Sequence, residues 1–379
     1  MRNAGYLLTG VATLFVLSAA GTMAADGNGV NHKEGKRLFE RETFGGNGRT
    51  CSTCHGAETG TVSPADARKR LAKNPSDPLF LHDGSDDGAG NGTVRILQDA
   101  TIRVEIPLPQ NVVLADDQDA RSVVVARGIP TTLNTPATDP VLMLDGRQPT
   151  LAAQALGALH DHAQALTFPT GEQLKQLTEF EKSEPFFSSD TILRFARGGV
   201  VPTLPPGKTA SQKRGRRFFE DVFDPTDLKA GLCGACHAGP MLNETGLGAL
   251  AIAGVPLHSR FQSVLVSELN PSHAPVRDFV FTNPDNTTTH VVSPDPGRAV
   301  ITGNAQDANQ FKIPTLWGVA QTAPYFHDNS AKTLEDLVNH YATFFAIASD
   351  LDGPGPMPPL ITLTPQDRAD LVAYMKLLE

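Results

Sequence analysis

The sequence predicts a mainly α-helical chain made of two tandem copies of one domain. Three observations lead there: a five-residue motif that occurs twice, matching sequence around both occurrences, and an amphipathic helix that closes each copy.

The motif is CSTCH at 51–55 and CGACH at 233–237, and the only cysteines of the chain, Cys51, Cys54, Cys233 and Cys236, all lie in it. C-x-x-C-H attaches a c-type haem. The two thiols add to the porphyrin vinyl groups, and the following histidine ligates the iron. Two residues between the cysteines, on one helical turn, bring both sulfurs to one haem edge. A four-sulfur zinc site or a redox dithiol would also use C-x-x-C pairs. The two pairs are far apart in the chain, however, and neither alternative explains the histidine after each. The expected cofactors are therefore two covalently bound haem c groups, with His55 and His237 as proximal ligands.

The flanks repeat as well. "EGKRLFERETFGGNGRT" precedes the first motif and "RGRRFFEDVFDPTDLKAGL" the second. Downstream, "GIPTTLN" (128–134) pairs with "KIPTLWG" (312–318), and "LDGRQPTLAAQALGA" (144–158) with "HDNSAKTLEDLVNHY" (327–341). A nearly constant offset over a hundred residues implies duplication of one domain. "TGEQLKQLTEFEKSE" (170–184) and "TPQDRADLVAYMKLLE" (364–379) close the copies as helices. In the second, Leu371, Tyr374, Met375 and Leu378 form one apolar stripe, and Thr364-Pro365 reads as N-cap and first helical residue. The stripe is expected to pack on the helix before the haem motif.

The Gly- and Pro-rich segment 198–211 reads as the linker, giving domains at 25–200 and 201–379. Residues 82–114 have no counterpart in the second copy. Alternating Val94, Ile96, Ile102, Val104 and Ile106 mark them as a small β insertion in the first. Another irregular stretch, 350–362, lies in the second copy.

Residues 1–24 read as a secretory signal peptide: Arg2, an apolar run from Tyr6 to about Ala20, then small residues at Ala24 and Ala25. The run is short for a membrane span, and no later stretch is long enough to cross a bilayer. The expected location is therefore periplasmic, with no integral membrane segment after cleavage. The whole chain carries a net charge of −9, and loss of Arg2 makes the remainder more negative still. Such a chain is not expected to bind nucleic acid.

The paired haem domains resemble the bacterial dihaem cytochrome c peroxidases and their MauG-like relatives. The match is densest in "FKIPTLWGVAQTAPYFHDNSAKTLEDLVNHY" (311–341), with "LDGRQPTLAAQALG" matching the other copy. The resemblance implies reduction of hydrogen peroxide at the N-terminal haem. Electrons would pass through the C-terminal haem from a small cytochrome c, a cupredoxin or a protein substrate. It puts Tyr341 at the distal ligand position of the second haem, with Met357 or Met241 as the alternative. By internal symmetry Ala158 occupies that position in the first copy, and alanine cannot ligate iron. The distal pocket of the first haem would then hold Gln154, Gln164 where the family has a catalytic Glu, and His160 or His162 as substitutes able to move a proton. His82 would be a removable distal ligand. Leu144 stands where the family has an inter-haem Trp; Trp317, the chain's one Trp, is either its replacement or a core residue. The resemblance also allows one calcium ion through backbone oxygens at Thr322 and Pro324, with Ile129 replacing the family's Asn ligand. Two other readings remain: an electron carrier with two six-coordinate haems, and a dihaem oxygenase.

Overall fold

The computed structural model describes residues 31–251, 255–270, 275–350 and 361–379. The leader expected at 1–24 and Met357 lie outside them.

Helices dominate, and each half is built on one helix pair. His32–Arg41 starts at Asn31, whose side chain accepts from the Glu34 N–H at 3.3 Å, and it buries Leu38 and Phe39. It packs on Gly171–Ser183, which opens with a Thr170–Gln173 capping box. The helices meet at Gly35, where a side chain would run into the Gln176 carbonyl and Phe180 Cβ. In the second half Ala210–Arg217 packs on Pro365–Met375 through Gly215, where a side chain would run into the Asp370 carbonyl and Tyr374 Cβ. This is the pairing the apolar stripe predicts. Thr364 caps the helix, accepting from the Asp367 N–H at 3.1 Å. Leu371, Tyr374, Met375 and Leu378 are all buried; each such side chain contributes about 1.5–3 kcal/mol of transfer free energy.

Two further helices complete the frame. Leu151–Asp161 is capped by Thr150, which accepts from the Ala153 N–H at 3.1 Å, and Leu334–Asp350 follows Thr333, which accepts from the Asp336 N–H at 3.1 Å. Each follows a single β-bridge, Leu142 to Gln148 in one half and Tyr325 to Ala331 in the other.

The strands are more extensive than expected. Thr101–Pro107 pairs antiparallel with Ser122–Gly128. Val112–Leu114 pairs with Arg277–Thr282, which pairs with Thr288–Ser293, so this three-stranded sheet takes strands from both halves. Ile102, Val104 and Ile106 alternate inward and share a core with Leu114, Phe279 and Phe281. Val94 and Ile96 lie instead in a helix, Val94–Asp99. The Asp86 carboxylate explains the difference: it accepts from the Val94 and Arg95 N–H groups at 2.8 and 2.9 Å and so starts a helix.

Arg127, next to last in the strand Ser122–Gly128, joins the halves. Fully buried, it donates to Asp145 at 2.5 Å and to Asp295 at 2.6 and 2.9 Å. No helix among the described residues is long and apolar enough to cross a membrane.

Candidate functional site

Each C-x-x-C-H segment closes one turn in the same way. The His55 N–H donates to the Cys51 carbonyl at 3.0 Å, and the His237 N–H to the Cys233 carbonyl at 2.8 Å. Both cysteines and the histidine of each motif then line one continuous cavity of about 560 Å³.

The two imidazoles are held alike. His55 Nδ1 bonds to the Gly60 carbonyl at 2.8 Å and His237 Nδ1 to the Leu242 carbonyl at 2.9 Å, each five residues on. A carbonyl accepts only, so Nδ1 carries the proton and Nε2 is left for a metal, as in other ligating histidines. Burial pushes both imidazoles below their ordinary value, against the pull of these bonds, which favours the neutral, ligating form. Burial also raises the thiols, Cys236 to about 11. A reactive dithiol needs the opposite shift. Among the described residues no group of three or more His, Cys, Asp or Glu side chains could hold a metal ion, so the two cysteine pairs do not make a zinc site. The donor set in each half fits a haem: two thiols, one preoriented imidazole and an apolar-walled cavity.

The rest of the lining differs between the halves. In the second half Tyr341, on Leu334–Asp350, lines the cavity with Cys233, Cys236 and His237. Its ring lies 6.0 to 6.3 Å from Phe326, Phe344 and Phe345. Burial, reinforced by the nearby thiols, drives its phenol well above the ordinary value, so it stays protonated until a cation draws the proton off. Met241 is buried in the core and does not line the cavity. In the first half Leu151–Asp161 presents Gln154 and Ala158 to the cavity, and its C-cap His162 lines the cavity too.

His162 Nδ1 bonds to Asp83 Oδ2 at 2.5 Å, and the other Asp83 oxygen takes the Arg49 guanidinium. Burial works to raise the Asp83 carboxyl, but its bonds to His162 and Arg49 outweigh that and hold it below the usual carboxylate range. Neither Asp83 nor Arg49 stands out in the sequence. The available signal is an arginine two residues before the first motif and an acid in the insertion read as a small β segment.

The structure does not bring Gln164 into the cavity. It is exposed, with a left-handed backbone just past the helix end, and its amide bonds to His82 Nδ1 at 3.0 Å. His82 Nε2 in turn bonds to the Asp161 carbonyl at 3.1 Å, also outside the cavity. His160 is exposed and paired with Asp161 at 2.7 Å. Trp317 is a core residue, its Nε1 donating to the Pro240 carbonyl at 2.9 Å, while Leu144 lines the cavity. Thr322 and Pro324 line the cavity, whereas the Ile129 carbonyl accepts the Thr61 hydroxyl at 2.5 Å.

Glu181 was not anticipated. It lines the first half of the cavity with one carboxylate oxygen unpartnered, and burial pushes it up to about 8, the nearby Lys182 opposing only weakly.

Comparison with known proteins agrees with this geometry. No family model matches the chain. It is 52% identical over 46 residues to the cytochrome c551 peroxidase of Nitrosomonas europaea, 12% of this chain and 14% of that one. It is 26% identical over 159 residues to the cytochrome c peroxidase Ccp of Escherichia coli, 40% of this chain and 26% of that one. It is 26% identical over 170 residues to the cytochrome-c peroxidase IdrP2 of Denitromonas iodatirespirans, 45% and 40% of the respective chains. The matched regions thus span less than half of each relative. A MauG-like protein associated with microbial copper homeostasis has the same fold, with TM-score 0.51 and 19% identity over 94% of this chain and 91% of that one. In sequence over part of its length, and in fold, this chain is thus similar to the bacterial dihaem cytochrome c peroxidases and their MauG-like relatives.

Proposed function

We propose that the chain is a periplasmic dihaem c-type oxidoreductase that reduces hydrogen peroxide at its N-terminal haem with electrons passed through its C-terminal haem. Cys51 and Cys54 would hold the first haem covalently, with His55 as ligand; Cys233, Cys236, His237 and Tyr341 would hold the second. The two halves, 25–200 and 201–379, descend in this reading from one duplicated domain, exported by the leader at 1–24. The repeated glycine contacts and β-bridges support it.

The observation that carries the proposal is the unequal cavity lining: the second half contributes a tyrosine, Tyr341, and the first contributes Ala158, Gln154 and His162. When bound, the haems supply iron at which the O–O bond breaks and a path for electrons. The protein's part is to keep Ala158 small so that peroxide can reach the first haem. Gln154 orients the peroxide there, and His162 Nε2 takes and returns a proton. The electron source is a small redox protein, a cytochrome c or a cupredoxin, or an oxidisable protein substrate. A calcium ion between the haems would rely on Thr322 and Pro324 carbonyls alone.

A second reading, a carrier with two six-coordinate haems, is favoured by the same His162, whose Nε2 could ligate iron. The electron paramagnetic resonance spectrum of the oxidised protein separates the two. One high-spin and one low-spin haem, with the high-spin signal lost on adding peroxide, supports the enzyme. Two low-spin haems unchanged by peroxide would overturn it.

A further inference from the structure

The buried cluster under His162 has a role that the proposed reaction does not yet use. Three segments meet in it: Arg49 from the approach to the first motif, Asp83 from the turn His82–Gly84, and His162 from the end of Leu151–Asp161. Arg49 is 2% exposed and Asp83 4%. The Arg49 guanidinium donates to the carbonyls of Pro78 at 2.9 Å, Leu79 at 3.1 Å, Leu81 at 2.5 Å and His162 at 3.1 Å, as well as to Asp83. All three of its nitrogens are thereby engaged, and Lys cannot reproduce that fork. Gly84 permits the close approach: a Cβ there would collide with the Leu79 carbonyl and crowd Arg49 Nη2.

This arrangement settles the direction of the bond to His162. An ionised carboxylate can only accept, so Nδ1 donates. The neutral ring then has Nε2 as its acceptor, on a side chain that lines the cavity.

We propose that Asp83 is a positioning residue that fixes His162 with Nε2 as a proton acceptor toward the peroxide face of the first haem, and that Arg49 locks the pair to the haem-bearing segment. The inference rests on the peroxide reading above. In the step, one oxygen of H₂O₂ gives its proton to Nε2, the O–O bond breaks, and Nε2 returns the proton to the departing oxygen, which leaves as water. The net change is H₂O₂ plus two electrons plus two protons giving two waters. The electrons come from the one-electron redox protein named above, and Asp83 carries none of the protons. A histidine oriented by a buried carboxylate is an arrangement that catalysis uses on unrelated folds.

The test uses the haem-loaded protein with two readouts: the saturating rate of peroxide reduction, and the rate at which hydrogen cyanide binds the oxidised protein without turnover. Cyanide binds iron as the anion, so its acid must also give up a proton beside the haem. His162→Gln is expected to slow both by on the order of 10²-fold. Asp83→Asn should slow both by about 10-fold, leave the half-saturating peroxide concentration within about twofold, and add no further slowing on the His162→Gln background. Asp83→Glu should recover most of the loss.

If His162→Gln is slow but Asp83→Asn matches the parent, the positioning role is wrong and the peroxide reading stands. If both match the parent, proton transfer by His162 falls as well. A low-spin first haem that turns high-spin in His162→Gln makes His162 an iron ligand and overturns the inference. Should Asp83→Asn not fold, Asp83→Glu serves instead. Its residual slowing must vanish on the His162→Gln background, and slowing that persists there overturns the role.

Discussion

The two halves of the cavity have the same floor and different ceilings. On the floor, His55 and His237 each bond through Nδ1 to a carbonyl five residues on, and each haem-motif segment follows a helix seated on its partner through a glycine. On the ceiling, the second half presents Tyr341 among phenylalanine rings, and the first presents Ala158, Gln154 and a histidine anchored to a buried ion pair. Helix packing differs in one titratable group as well. One residue past the glycine contact stands Met375 in the second half and Glu181 in the first, and both line the cavity. The two motif sites are thus alike in backbone, and in the proposed reading the few side chains that differ around the cavity would set what each haem can do.

The strongest challenge to this comparison is to remove one floor. Cys51→Ser with Cys54→Ser should leave one covalent haem by intact mass, and the equivalent change at Cys233 and Cys236 should leave the other. Unaltered haem content in either variant would sink the assignment. Next is the ceiling of the second half. Tyr341→Phe keeps the ring and its aromatic neighbours but deletes the oxygen, so the low-spin signal of the second haem should disappear or change and its reduction potential should rise. A spectrum and potential identical to the parent's would make Tyr341 a packing residue.

The ion pair under the first ceiling comes third. Arg49→Leu leaves the Asp83 carboxylate buried with one partner lost, and such losses cost about 3–5 kcal/mol. Denaturant unfolding should show it, and a change below about 1 kcal/mol would mean that water reaches the site.

Glu181 gives a smaller and pH-dependent effect. Its folded value, about 8, lies above the ordinary carboxylate value of 4.5. The folded protein therefore holds a proton that the unfolded chain releases between pH 4.5 and 8, and this group's contribution to stability is full below that window and lost as pH rises through it. Glu181→Gln should be close to neutral at pH 4.5 and stabilising by a few kcal/mol at most near pH 8. Melting curves at the two pH values check this, and equal shifts at both would refute it. The smallest effect is expected at Trp317, 6% exposed in the core. Trp317→Phe gives up its bond to the Pro240 carbonyl for about 1 kcal/mol and should leave electron transfer between the haems unchanged in flash or stopped-flow kinetics.

The parts of this molecule written in local sequence were legible, and the parts assembled from distant segments were not. C-x-x-C-H is contiguous, and the single turn that its spacing implies is closed in both halves. The helix at Pro365–Met375 announces itself through Thr364, Pro365 and an apolar stripe, because caps and stripes act within a few residues. The strand positions Ile102, Val104 and Ile106 were readable for the same reason, whereas Val94 and Ile96 follow an equally apolar pattern but obey a cap at Asp86. The ceiling of the first half was not legible. Asp83 reaches His162 across 79 residues, Arg49 reaches His162 across 113, and no local preference marks that meeting. Gln164 shows the converse: a position chosen by alignment lies past a helix end whose left-handed residue turns it out to solvent.

The shared cavity also bears on how the protein is made. Its walls come from both halves and include Leu151, Ile313, Leu316, Leu371 and Met375, which in an ordinary domain would close on one another. In the proposed reading the haems pack against these side chains, and a wall side chain deprived of such a neighbour forfeits packing energy. Covalent attachment and folding would then be steps of one process. The cysteines would have to be reached while the chain is still open, and the haems, once joined, would be the nucleus on which both halves collapse. A chain that missed one haem would lose wall contacts in both halves, so the single-haem cysteine variants are expected to be recoverable but to melt below the parent.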